Sequence, residues 1–214
     1  MSIISFLKRH SVFLFLSVLA VAFQLIGLDT YPRVLLDEVW YANTTHNIFS
    51  KFKIENTLFG SGGGDFLFLY TFLSAIWSKI VGFSLFNLRL FSVVCECVAL
   101  FFFSKCIALI CKTFNSNGNV VNVSRYILFS GILFIVNNNF FLLFRRIRPE
   151  GISILFLIIA IYFYLKWLSQ PKNTTIFSLG FMLVCGFMCH PNIMVYGTVL
   201  GGLILFDQLK KKDL

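Results

Sequence analysis

Residues 11–28 read SVFLFLSVLAVAFQLIGL, preceded by Lys8-Arg9-His10 and followed, after a short polar break, by Leu35-Leu36-Asp37-Glu38-Val39-Trp40-Tyr41-Ala42. An apolar run of this length suits a transmembrane helix, and its basic flank places the N-terminus in the cytoplasm. Ala20-Val21-Ala22 has the small-x-small form of a signal-peptidase site. The apolar run continues through Phe23, Leu25 and Ile26, however, which reads as an anchor. Just beyond it, two adjacent carboxylates stand at the membrane edge. A charge near hydrocarbon costs free energy unless a partner or a function retains it. A solvated acidic loop is the plain alternative to chemistry at that boundary.

Composition extends this reading to the whole chain. Hydrophobic residues make up 58% of the 214, and only 13% are charged; mean hydropathy is +0.85. A water-soluble domain of this length needs more polar surface. No alternating ten-residue strand pattern of an outer-membrane barrel is present. The expected fold is therefore all-α, a single polytopic transmembrane bundle over 1–214. The net charge of +9 does not indicate nucleic acid, because the Lys and Arg residues fall between apolar spans and form no continuous stripe. Membrane topology, with one anionic ligand, accounts for it better. Cys95, Cys97, Cys106, Cys111, Cys185 and Cys189 lie in or at the ends of apolar segments with no CxxC pair. They read as small buried hydrophobes.

The first outer loop runs over 29–65 and contains Asp37-Glu38, Lys51, Lys53 and glycines at 60 and 62–64. Within it, 36–52 reads as an interfacial helix anchored by Trp40, Tyr41 and Phe49, with Asp37 and Tyr41 one turn apart on one face. The glycines are not a P-loop, since no Gly-Lys-Ser/Thr follows. Segment 66–83 either spans or lies along the membrane; Ser74, Ser78 and Lys79 weigh against spanning. Further spans are expected over 88–110, 126–144 (interrupted by Asn137-Asn138-Asn139) and 151–168. A final hairpin, 176–189 and 193–206, bends at His190-Pro191-Asn192. If 66–83 lies flat there are six crossings, and both the Lys8-Arg9 end and the Lys210-Lys211-Lys212 end face the cytoplasm, as the positive-inside rule favours. Arg145-Arg146-Ile147-Arg148-Pro149-Glu150 then falls on the outer side with Asp37 and Glu38.

That outer boundary collects Asp37, Glu38, Arg89, Arg145, Arg146, Arg148, Glu150 and His190. Carboxylates serve as general bases or as oxygen ligands for Mg²⁺ or Mn²⁺, and guanidiniums clamp phosphate. Each group also has a plainer role. The arginines can meet lipid headgroups, Glu150 behind Pro149 can cap a helix, and His190 can end one. Glu96, inside a span, is expected to pair with a polar neighbour. The triple asparagine can line a polar cavity or bond between helices. Asn43-Thr44-Thr45 matches a glycosylation sequon, which matters only in a eukaryote.

In order and spacing these features resemble the GT-C glycosyltransferases, especially the bacterial branch of protein mannosyltransferase-like and aminoarabinose transferase-like enzymes. Leu36-Asp37-Glu38-Val39-Trp40-Tyr41-Ala42 resembles the acidic motif of their first outer loop, and 66–82 stands in the place of an interfacial helix. Leu85-Phe86-Asn87-Leu88-Arg89-Leu90-Phe91-Ser92 resembles their Arg-containing second span. Arg146-Ile147-Arg148-Pro149-Glu150 stands where they place an acid after the third span, and His190-Pro191 matches a feature two spans later. The resemblance implies a polyprenyl-phosphate sugar donor and a lipid, glycan or protein acceptor from the outer side. It implies Asp37 as base with Glu38 and Glu150 in support, and Arg146 and Arg148 at the donor phosphate; Tyr41, Arg89 and His190 join the substrate-binding set. The chain departs from the family in having Gly63-Gly64-Asp65-Phe66 where many relatives carry a Lys-Pro-Pro-type segment. Relatives are also about twice as long or more, which implies an N-terminal portion of such a protein or a member working with a partner subunit. A non-catalytic GT-C-like subunit is the alternative function, and a transporter relying on Glu96 and Lys105 ranks behind both. The basic tail fits a bacterial inner membrane; the Lys211-Lys212-Asp213-Leu214 ending resembles a dilysine signal, which would place a eukaryotic chain in the endoplasmic reticulum.

Overall fold

The computed structural model describes residues 3–58, 68–116 and 122–212, with side chains over 11–58, 68–112 and 122–209. The glycines at 60 and 62–64, Asp65, part of the Asn-rich stretch and the end of the tail lie outside the described residues. The described residues form helices and connecting turns without a strand. The helices are α1 (Ile3–Leu25), α2 (Leu36–Lys51), α3 (Leu69–Val81), α4 (Leu85–Ser116), α5 (Val123–Val136), α6 (Asn138–Leu143), α7 (Pro149–Ser169), α8 (Asn173–Cys189) and α9 (Ile193–Lys212).

Local chemistry sets the boundaries. Behind α1, Gly27 takes φ +63, a left-handed conformation that costs glycine little, and the Tyr31 N–H closes onto its carbonyl at 2.8 Å. Asn137 is extended, and its side-chain oxygen accepts from the N–H groups of Asn139 (3.0 Å) and Phe140 (3.3 Å). The break in the asparagine run is thus the N-cap of α6. Pro149 occupies the start of α7 with Glu150 in its first turn, where a missing N–H is harmless and a negative charge suits the helix dipole. His190 is extended at the end of α8, as a residue before proline favours.

Helix α7 is the centre of the packing, set against α4 and α8, while α4 also carries α1 and α5. Leu16 and Ala20 of α1, Ala99 and Leu100 of α4, and Phe144 and Ile147 before α7 are buried in one core. Residues Leu85–Lys112 and α7 are long and apolar enough to cross a membrane. The surface is apolar too: Val18 is 69% exposed, Phe177 76% and Val195 67%. Helices hydrophobic on both faces are stable against hydrocarbon.

Helix α3 makes the same point by inversion. Its buried face is Tyr70, Thr71, Ser74, Ala75 and Ser78, whereas Phe72, Ile76 and Ile80 point outward at a spacing of four. The polar stripe packs inward and the apolar stripe faces out. At 13 residues it is about 20 Å long, short of the roughly 30 Å hydrocarbon core. Lys79 lies 4.4 Å from the Phe49 ring centre and 5.2 Å from that of Phe52, so its charge rests on aromatic faces at one end of the helix.

Candidate functional site

The acidic pair opens α2, and the two carboxylates part company at once. Glu38 is fully buried. Its Oε1 accepts from Arg89 Nε (3.3 Å) and from the Ile147 N–H (2.9 Å). Its Oε2 accepts from Arg89 Nη2 (3.2 Å) and from the Leu35 N–H (3.1 Å). Arg89, also fully buried, donates further to the carbonyls of Leu28 (2.9 Å) and Pro32 (2.8 Å). This pair joins α2, α4, the α1–α2 connection and the approach to α7. With four donors on its oxygens, the Glu38 carboxylate is a brace.

Asp37, one residue earlier, is 59% exposed and meets Arg148 Nη2 at 3.3 Å. The same Nη2 lies 2.6 Å from Glu150 Oε1. Arg148 therefore bridges a carboxylate on α2 and one in the first turn of α7. A cavity of about 320 Å³ opens beside Asp37, lined by Leu36, Trp40 and Tyr41. Asp37, Trp40 and Tyr41 are positions i, i+3 and i+4 of one helical face. Tyr41 packs edge-on against Tyr70 on the buried face of α3, ring centres 5.8 Å apart, which holds one wall of the cavity against that helix.

An asparagine and threonine network holds the other end of α2. Asn56 donates to the Trp40 carbonyl and to Thr44 Oγ1, each at 3.0 Å. Asn47 donates to the Glu55 carbonyl at 3.0 Å, and Asn43 Oδ1 accepts from the Thr57 N–H at 2.9 Å. The chain leaving α2 is thereby folded back along the helix that carries Asp37. Asn43, first residue of the sequon, sits inside this helix with its oxygen engaged.

The basic cluster also divides. Arg145 is buried and donates to the carbonyls of Ile26 (2.7 Å), Tyr31 (3.0 Å) and Phe23 (3.4 Å). It closes the carboxyl end of α1, where a cation meets orphan carbonyls and the negative end of the dipole. Burial, then the charge of Arg89, lowers its pKa, and Tyr31 and Glu96 act in the opposite direction. Arg146 and Arg148 are half-buried. Among the described residues the Nε of each, and Oε2 of Glu150, are buried with no hydrogen-bond partner. The Arg146 carbonyl accepts from Ser92 Oγ at 2.9 Å, which ties this strip to α4.

The structure thus brings together Asp37, Tyr41, Arg148 and Glu150 at one surface, with Arg146 two residues before Arg148 in sequence and Glu38 and Arg89 buried as their support. His190 stands apart: its Nδ1 accepts from the Asn192 N–H at 3.3 Å, and no hydrogen bond or ion pair joins it to the acids or arginines of the site. Trp40 is a cavity wall that the sequence suggested only as an interfacial anchor, although its spacing from Asp37 was the available signal. Among the described residues no three His, Cys, Asp or Glu side chains converge to hold a metal. Between Asp37 and Glu150 the bridging position belongs to a guanidinium. Comparison with known protein families, characterised proteins and solved structures returned no match.

Proposed function

We propose that this chain is an integral membrane glycosyltransferase, a six-crossing bundle with α2 and α3 at its outer boundary. On this reading it moves a sugar from a polyprenyl-phosphate-linked donor to an acceptor hydroxyl on the extracytoplasmic side. The observation that carries the reading is the division within the acidic pair. Glu38 is saturated by four donors, while Asp37 is exposed beside an aromatic-walled cavity and held by one shared guanidinium.

Arrival of the donor phosphate draws Arg148 from Asp37, because a phosphate offers a guanidinium more acceptor oxygens than one exposed carboxylate. The unpartnered Nε groups of Arg146 and Arg148 suit the same oxygens. Asp37, released, takes the proton of the acceptor hydroxyl. The resulting oxygen attacks the anomeric carbon, and the carbon–oxygen bond to lipid phosphate breaks with its electron pair going to phosphate. Arg146 and Arg148 stabilise that departing charge. An apolar groove of about 610 Å³ between α4, α5 and α7, with Phe103, Leu133, Ile158 and Asn137 among its walls and no charged residue, suits an isoprenoid tail. Asn137 leads through the single short helix α6 to the arginines.

The test is transfer of labelled sugar from a panel of polyprenyl-phosphate donors in membranes carrying wild type or Asp37→Asn. The expected result is transfer by wild type and a loss of at least about a hundredfold in the variant at equal abundance. Transfer that survives Asp37→Asn overturns the assignment of the base. A silent wild type across the panel favours the non-catalytic, partner-dependent alternative.

A further inference from the structure

Helix α2 ends on a residue that its own chemistry disfavours there. Phe52, the C-cap, has φ +56 and ψ +32, and among the described residues it is the one non-glycine with a positive φ. Helix ends usually give this left-handed conformation to glycine or asparagine, and it strains a bulky residue. Two backbone bonds hold it: the Phe52 N–H donates to the Ile48 carbonyl at 3.1 Å and the Lys53 N–H to that of Asn47 at 3.4 Å. Phe52 is also 82% exposed, more than any other large hydrophobic among the described residues. The fold gains little from an aromatic group that is both strained and turned outward.

The neighbours of Phe52 are aromatic, aliphatic and cationic. Lys79, near the end of α3, sets its Nζ 5.2 Å from the Phe52 ring centre and 4.4 Å from that of Phe49. Phe49 lies 5.9 Å from Phe83, and Phe83 lies 5.1 Å from His46, centre to centre. The ends of α2 and α3 thus meet through an aromatic platform. Beside Lys79, Ile80 is 76% exposed and continues the outward stripe of Phe72 and Ile76 to this corner. Lys51, Lys53 and Lys79 are exposed, and among the described residues no carboxylate lies within ion-pair distance of any of them. Glu55, the nearest acid in sequence, is half-buried. A soluble acidic partner would answer the lysines and leave the stripe of α3 uncovered. Acidic headgroups above acyl chains answer both, because aromatic and lysine side chains are at home where the two meet.

We propose that the corner formed by the ends of α2 and α3 docks on the bilayer surface and selects anionic phospholipid. Phe52 and Ile80 enter the boundary between headgroups and acyl chains, and Lys51, Lys53 and Lys79 meet the negative headgroups. The inference rests on the placement of α2 and α3 at the bilayer boundary and is independent of the transferase chemistry.

Tryptophan fluorescence of the full chain in lipid bilayers tests it, read as Phe52→Trp minus wild type to remove Trp40, Trp77 and Trp167. Lipids with acyl chains brominated near the headgroup quench an indole that they touch. With brominated phosphatidylglycerol as a minor component in phosphatidylcholine, quenching should report a local enrichment of at least about fivefold over its share of the bilayer. That is the increment expected of one lysine at an anionic surface. The same fraction of brominated phosphatidylcholine should show no enrichment. Lys51→Gln with Lys53→Gln, which leaves Lys79 on its aromatic rings, should lower the enrichment, and adding Lys79→Gln should bring it close to none. Equal quenching by the two lipids, or enrichment unchanged in either lysine variant, overturns the selection of anionic lipid. Quenching by aqueous iodide alone refutes the bilayer placement itself and leaves the corner to a soluble partner. Sugar transfer plays no part in this readout, so its absence would not count against the docking.

Discussion

Replacing Glu38 with alanine should cost this protein a large share of its stability, although Glu38 stands beside the proposed catalytic base. The deletion strands a guanidinium that is wholly buried and keeps only the Leu28 and Pro32 carbonyls. It also strips acceptors from the N–H groups of Leu35 and Ile147. Removing one partner of a buried pair costs about 3–5 kcal/mol, and each backbone bond to a charged acceptor contributes about 1.5–3 kcal/mol. These terms are not additive, so about 4 kcal/mol or somewhat more is the working figure against a total of about 5–15 kcal/mol. Asp37→Asn removes only an exposed ion pair, worth about 0.2–1 kcal/mol. Thermal unfolding in detergent, followed by helix signal and by aggregation, should therefore show a loss of about 8–16 °C for Glu38→Ala and at most a few degrees for Asp37→Asn. Glu38→Leu with Arg89→Met should recover part of the loss, because no charge is left buried, but four backbone groups still lack partners. A Glu38→Ala protein that unfolds like wild type would refute the brace. An Asp37→Asn protein that collapses would refute the division of labour within the pair.

Two further perturbations address the packing and the orientation of the bundle. A Cβ at Gly131 would run into Leu16 Cδ1, so Gly131→Ala should destabilise the α1–α5 contact by about 1–3 kcal/mol. Paired with Leu16→Ala it should cost less than the sum of the two single changes, and strict additivity in melting curves would show that the helices do not meet there. Helix α3 should sit with its Phe72, Ile76 and Ile80 stripe in hydrocarbon. A fluorophore on Ile76→Cys, measured against the background of the native thiols, should be quenched by lipid-borne quenchers and spared by aqueous iodide. The reverse pattern would place that stripe in water.

Much of the architecture was written locally. The helix expected over 36–52 is α2, Leu36–Lys51, because a short amphipathic run with acids in its first turn carries its own boundary signals. The same holds for Pro149 at the head of α7 and for the corner at His190-Pro191. The asparagine run was legible as a break, but its meaning as the cap of α6 depends on a backbone turn that hydropathy does not register. For α3 the two stripes, one of Tyr70, Ser74 and Ser78 and one of Phe72, Ile76 and Ile80, were present at helical spacing. Averaged hydropathy cancels them, and only their assignment to inside and outside shows that the helix is inverted.

The residues that gather around Asp37 were named in the sequence, but their division of roles was not legible there. Asp37 and Glu38 have the same chemistry and adjacent positions, and nothing local distinguishes the exposed acid from the buried brace. The distinction is made by Arg89, 51 residues away, and by the Ile147 N–H, 109 residues away, both brought to one side of α2 by the packing of α4 and α7. The arginines divide in the same way. Arg145 faces the carbonyl end of α1, while Arg148, three positions on, faces Asp37 across the start of α7. A run of like charges is therefore sorted by which helix end each member meets: the member meeting orphan carbonyls is consumed by the fold, and the member meeting an exposed carboxylate stays available to a ligand. The same rule explains why Arg89, whose position in the sequence suggested substrate binding, is buried among carbonyls and Glu38. In a chain with few acids, the arginines that the backbone has already satisfied hold the site in place, and those with an unpartnered Nε define where an anion would go.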